Sequence, residues 1–174
     1  MSITTFRDRT QSPIPFLVTI FPDLQARTKF EIPEMTIPGF IELFDATKRT
    51  HKKDLPLLKL AKFGETASKN GCLRTNANMG DISGIEAEHD AGTISVEEAR
   101  DILLRERIRA IVYTTPSHTK EHPRWRVLLP LSRMHPKTER YKFVSWINGV
   151  FDGQLADESF NTSQCFYFGH VVRP

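Results

Sequence analysis

Residues 82–169 constrain the fold more than any other part of this chain, because strand-like and helix-like apolar spacing alternate there in a fixed order. ISGIEAEHD (82–90) reads as a strand, RAIVYTT (109–115) as a second, RWRVLLPL (124–131) as a third and QCFYFG (164–169) as a fourth. Between the first two strands, Ser95-Val96-Glu97-Glu98 spells a capping box, with Ser95 as N-cap and Glu98 reaching back. Val96, Ala99, Ile102 and Leu103 then give one helical stripe. A second helix follows Pro136, with Tyr141, Val144, Ile147 and Phe151 on one face.

The resulting order, β-α-β-β-α-β, predicts an α+β fold with the split βαβ arrangement of ferredoxin-like and RNA-recognition-type (RRM-like) sheets. In such a sheet the fourth strand lies beside the first, the first beside the third, and the third beside the second. The first two strands run parallel and the others oppose them. One edge therefore collects Glu88 to Gly92, Thr115 to Thr119, Arg124 to Arg126 and Asp157 to Gln164. Ahead of this unit the chain reads as an α/β extension. IPFLVTIF (14–21) predicts a buried strand, and 37–46 a short helix with Thr36 as N-cap and Pro38 in its first turn. LPLLKLAKFG is an apolar stretch closed by Gly64, and 65–81 reads as loop. We expect one domain, an N-terminal module over 1–80 and a catalytic module over 81–174.

Chemistry concentrates at the predicted edge. Alternation along the first strand puts Glu86, Glu88 and Asp90 on one face, and Ile85, Ala87 and His89 on the other. With helices over the apolar side, the acids are expected to line an open face. Three carboxylates so spaced repel one another unless a cation sits among them, and their hard oxygens suit magnesium or manganese. Ser117 and His118 follow the second strand, a hydroxyl and an imidazole suited to a triphosphate. Arg124 and Arg126 share a face of the third strand, where guanidinium groups can fork onto phosphate. Trp125 points the other way, into the core. Asp157 and Glu158 precede the fourth strand and can bring a further carboxylate.

Composition excludes several alternatives. Hydrophobic residues are 39% and charged residues 26% of 174, the balance of a globular chain. No apolar run approaches the roughly 20 residues of a membrane helix, and MSITTFRDRTQ lacks a signal-peptide core, so a cytoplasmic protein is expected. Cys72 and Cys165 are too few for a disulfide framework or thiolate zinc site. Walker A, HExxH, paired CxxC and GxSxG motifs are absent. The net charge of +3 conceals sorting: bases crowd segments 47–74 and 100–142, while acids cluster at Glu86 to Asp90.

GIEAEHDAG, VYTTPSHT, PRWRVLLPLS and ESFNTSQCFYFG together resemble the archaeo-eukaryotic primase superfamily, specifically the primase-polymerase domains of phage and plasmid replication proteins. The resemblance is clearest over residues 55–170. That family carries an acidic pair separated by one residue, a small-x-His motif and a hydrophobe-Asp motif, matched here by Glu88-His89-Asp90, Pro116-Ser117-His118 and Ala156-Asp157. It implies that Glu88, Asp90 and Asp157 bind two catalytic magnesium or manganese ions, and that Ser117 and His118 contact the incoming triphosphate. Glu88 stands where the family usually has Asp, and Glu86 and Glu158 remain open as further ligands.

The expected function is template-directed nucleotidyl transfer, making or extending a primer from ribo- or deoxyribonucleoside triphosphates on single-stranded DNA. Arg126 joins Ser117 and His118 on the triphosphate, while Lys59, Lys62, Arg74 and Arg124 are candidate DNA contacts. A chain ending at Val171-Val172-Arg173-Pro174, just after a strand, suggests the front of a longer protein carrying a helicase. Two alternatives stay open: a nicking replication initiator with Tyr141 as nucleophile, and a non-catalytic RNA-recognition module.

Overall fold

The structure is a computed structural model that describes residues 3–6 and 14–172. Among the described residues, fourteen helices and strands carry the fold. In chain order they are β1 (Ile3–Phe6), β2 (Phe16–Phe21), β3 (Phe30–Met35), α1 (Ile37–Ala46), β4 (Lys48–Arg49), β5 (Leu57–Lys59), β6 (Ala61–Phe63), β7 (Met79–His89), α2 (Val96–Arg105), β8 (Ala110–Thr114), β9 (Trp125–His135), α3 (Arg140–Val150), β10 (Phe166–Tyr167) and β11 (His170–Val171). It is a mixed α+β fold built on antiparallel sheets.

Capping places the helices. Thr36 accepts from Gly39 N at 3.1 Å and Pro38 sits in the first turn of α1. Ser95 and Glu98 close the expected capping box on α2. On α3 Val144, Ile147 and Phe151 are buried as expected, but the stripe begins at Arg140 and not at Tyr141. Tyr141 is 66% exposed.

The main sheet runs β1-β8-β9-β7-β6. Its centre is as expected: β7 and β8 each pair antiparallel with β9, and so run parallel to each other, joined through α2. Ile85, Ala87, Trp125 and Val127 meet α2 and α3 through Ala99, Leu103, Val144, Ile147 and Phe151.

Three expectations change. The fourth strand does not lie beside the first: β10 pairs with β5 in a second sheet, ordered β10-β5-β2-β3. The place beside β7 is shared by β6, at Ile82 and Met79, and by the segment after Leu155, where Ala156 N donates to Glu88 O at 2.7 Å. Residues 79–81, expected as loop, begin β7. Nor is the acidic face of the main sheet open. Val18, Ile20, Leu58 and Phe168, with Phe40 and Phe44 of α1, pack over Ile111, Tyr113 and Leu128. Only Leu60 separates β5 from β6, so the chain passes from one sheet to the other at that residue. Strands cross the boundary at 80/81 in both directions, β6 joining the main sheet and β10 the second.

Candidate functional site: an acid–guanidinium edge

Three separate segments meet where β7 ends and β9 begins. Glu88 lies opposite Arg126 in the β7–β9 ladder. Arg126 Nε and Nη2 both donate to Glu88 Oε1, at 3.1 and 2.8 Å. The remaining Arg126 nitrogen, Nη1, donates to Tyr167 O at 2.8 Å, and the guanidinium lies 5.1 Å from the Phe166 ring centroid. Packed between an anion, a carbonyl and a ring, this buried arginine has no rotamer freedom left. One step outward, Arg124 Nε lies 3.0 Å from Asp90 Oδ1. Arg124 N donates to His118 Nδ1 at 3.1 Å, so that ring carries its proton on Nε2 when neutral. Ser117 is exposed on the same loop, and His118 is half-buried.

Exposure grades along the strand. The Glu88 side chain is 18% exposed and that of Asp90 49%. Glu86, also on this face, is fully buried and serves a different purpose. Its Oε2 receives Lys59 Nζ at 2.7 Å and Arg140 Nη2 at 3.4 Å, while Oε1 accepts from Leu60 N. Lys59 Nζ also donates to Gln164 O at 2.9 Å, and Arg140 Nη1 to Ser159 O at 2.8 Å. Burial pulls the Lys59 ammonium below its ordinary value; Glu86 opposes this and Arg140 adds to it. Burial likewise pushes the neighbouring Cys165 thiol up to about 12. Both Glu86 oxygens are therefore engaged by protein groups, and Lys59, expected on DNA, is sealed inside the protein.

The other expected residues divide. Lys62 is exposed and Arg74 half-buried. Asp157 and Glu158 are exposed on a short 3-10 turn, Asp157–Phe160, that Ser159 Oγ ties to Glu88 N at 3.0 Å. Arg126 is held by Glu88 and buried, so it orients that carboxylate instead of projecting toward a triphosphate. Trp125 is core, stacked 4.9 Å from the His89 ring. His89 is satisfied on both nitrogens, by Gln154 O and by the N–H groups of Thr93 and Ile94.

The carboxylate pair suits a hard divalent cation. Both Arg126 bonds fall on Oε1 of Glu88 and the Arg124 contact on Oδ1 of Asp90, leaving Oε2 and Oδ2 as the oxygens for a ligand role. Asp157 is not gathered to them: among the described residues, no group of three or more His, Cys, Asp or Glu converges on a metal position.

Arg140 is the residue that sequence reasoning missed. Its spacing to Val144, Ile147 and Phe151 already placed it on the buried stripe, but its charge argued for solvent. Comparison of the chain with protein-family models, curated proteins and solved structures returned no match.

Proposed function

We propose that the protein is a metal-dependent nucleotidyltransferase of the primase-polymerase kind, with its reaction centre at the Glu88–Asp90 edge. One observation carries the reading: the acidic pair, the Ser117-His118 loop and the start of β9 meet through direct contacts, although they lie far apart in sequence. Those same segments carry the primase resemblance. The β7-α2-β8-β9 succession, with β7 and β8 parallel on either side of β9, supports the reading.

Glu88 and Asp90 would hold the magnesium or manganese ion, which supplies charge neutralisation for in-line displacement at a phosphoryl centre. Arg126 fixes the Glu88 carboxylate. Ser117 and the Nε2–H of His118 stand ready to donate to triphosphate oxygens, and Arg124 adds a half-exposed guanidinium. Glu88 and Asp90 are each matched by a guanidinium, so the edge is electrically balanced without ligands. A balanced edge favours taking up a cation together with a triphosphate over taking up the bare cation.

The test is incorporation of a labelled nucleotide on a primed single-stranded template, with and without magnesium or manganese. Cation-dependent extension supports the reading. A strand nick with covalent attachment would replace it with the initiator, and strand binding without extension would replace it with the recognition module.

A further inference from the structure

We infer that the segment carrying Lys48, Arg49, Lys52 and Lys53, together with the Tyr167 ring, is the surface that receives a single strand of nucleic acid beside the carboxylate edge. This rests on the nucleotidyl-transfer reading and names the strand-binding surface that such a site requires.

Four cations stand within six residues there, and all four side chains are exposed. Among the described residues none of them is in an ion pair, whereas Lys59, Arg124 and Arg126 are each matched by a carboxylate. The adjoining acids offset them only in part. Asp45, turned toward His170 Nε2 at 2.9 Å, and Asp54 together set two negative charges against four positive ones. Uncompensated like charges so close repel one another and gain free energy when a polyanion releases its counterions onto them.

The backbone beneath them is fixed. Lys48 and Arg49 pair in parallel with His170 and Val171. His170 N donates to Thr47 O at 2.7 Å, and Val172 N to Arg49 O at 2.9 Å. Gly169, at φ +99°, permits this approach, since a Cβ there would stand 2.8 Å from Thr47 Cβ. Lys52 and Lys53 lie in a 3-10 turn, Lys52–Asp54.

Tyr167 gives the second, independent observation. Its carbonyl accepts both Arg126 Nη1 at 2.8 Å and Tyr113 Oη at 3.2 Å, and its backbone pairs with Leu57. The ring is only half-buried, with Lys52 Nζ 6.0 Å from its centroid. A fixed, partly exposed ring beside Lys52, in a segment of unpaired cations, combines an aromatic contact with phosphate contacts. That pairing suits unpaired bases, because a duplex keeps its base faces covered. The carbonyl of the same residue accepts from the arginine that orients Glu88, so one residue links the surface to the edge.

Fluorescence anisotropy of a labelled oligothymidylate, titrated with the protein over a range of salt, tests this. Changing Lys48, Arg49, Lys52 and Lys53 together to Gln is expected to weaken binding at least about tenfold and to flatten the salt slope by up to about 3, at about 0.7 per lost phosphate contact. Tyr167→Leu is expected to weaken binding roughly tenfold with the salt slope unchanged. Thermal melts confirm that both variants fold. Wild-type affinity in both folded variants overturns the inference, as does equal or tighter binding of the matched duplex, or no binding by the wild type. Nucleotide incorporation measured in parallel separates the two claims. Binding through this surface without incorporation overturns the proposed function alone, and incorporation with wild-type binding in both variants overturns the surface alone.

Discussion

Glu86 and Glu88 occupy alternate positions on one strand and have opposite partners. Glu86 lies between Lys59 and Arg140 with no exposure, whereas Glu88 reaches the rim and is held by Arg126. Removing the Glu86 carboxylate would leave two cations buried without their anion. Glu86→Ala is therefore expected to destabilise the protein by about 3–5 kcal/mol, read from urea denaturation. His89 makes a second prediction at this scale. Burial holds its imidazole below the ordinary value, the Gln154 bond and Asp90 oppose that, and His122 adds to it. Protonation would also cost the Nε2 lone pair that accepts from Thr93 and Ile94. The contribution of His89 is therefore complete above its unfolded value near 6.5 and declines as pH falls through the lowered folded value. Melting temperature is expected to fall on acidification below that point, less steeply in His89→Gln.

Among the elements, local signals were legible and long-range partner choice was not. Both helices preceded by a capping residue, α1 and α2, stand where Thr36 and the Ser95–Glu98 box placed them. Ser95→Ala is expected to cost about 1 kcal/mol in a thermal or urea melt, because Glu98 N loses its acceptor. QCFYFG does enter a sheet, but strand propensity carries no information about which edge it joins. The edge of β7 is instead satisfied by Ala156 N and Ser159 Oγ of a turn and by Arg140 of α3. Ser159→Ala strands the Glu88 N–H and is expected to cost about 1–3 kcal/mol while lowering any activity of the neighbouring carboxylate. The same non-local chemistry explains why the stripe of α3 begins at Arg140 and not at Tyr141. Arg140 is tolerated inside because Glu86 and Ser159 lie opposite it, and neither is near it in sequence.

Across the whole molecule, the sorting of charge takes a definite form. Acids at the end of β7 are matched by arginines and by the buried lysine, whereas Lys48, Arg49, Lys52 and Lys53 have no ion-pair partner among the described residues and reach that edge through Tyr167. The convergence of Glu88, Asp90, His118, Arg124 and Arg126 was legible because strand alternation and the β7-β9-β8 order dictate it. The burial of Glu86 and Lys59 was not, since the second sheet that covers them is assembled from both ends of the chain. Nucleotidyl transfer at the Glu88–Asp90 edge is what we propose. Its most direct test is cation-dependent nucleotide incorporation by the wild type and by the Glu88→Gln/Asp90→Asn double variant, alongside thermal melts of both. Cation-dependent incorporation is expected from the wild type, with a loss of at least about a hundredfold in a double variant that still folds. Undiminished incorporation by the folded double variant, or none by the wild type with either cation, would contradict it.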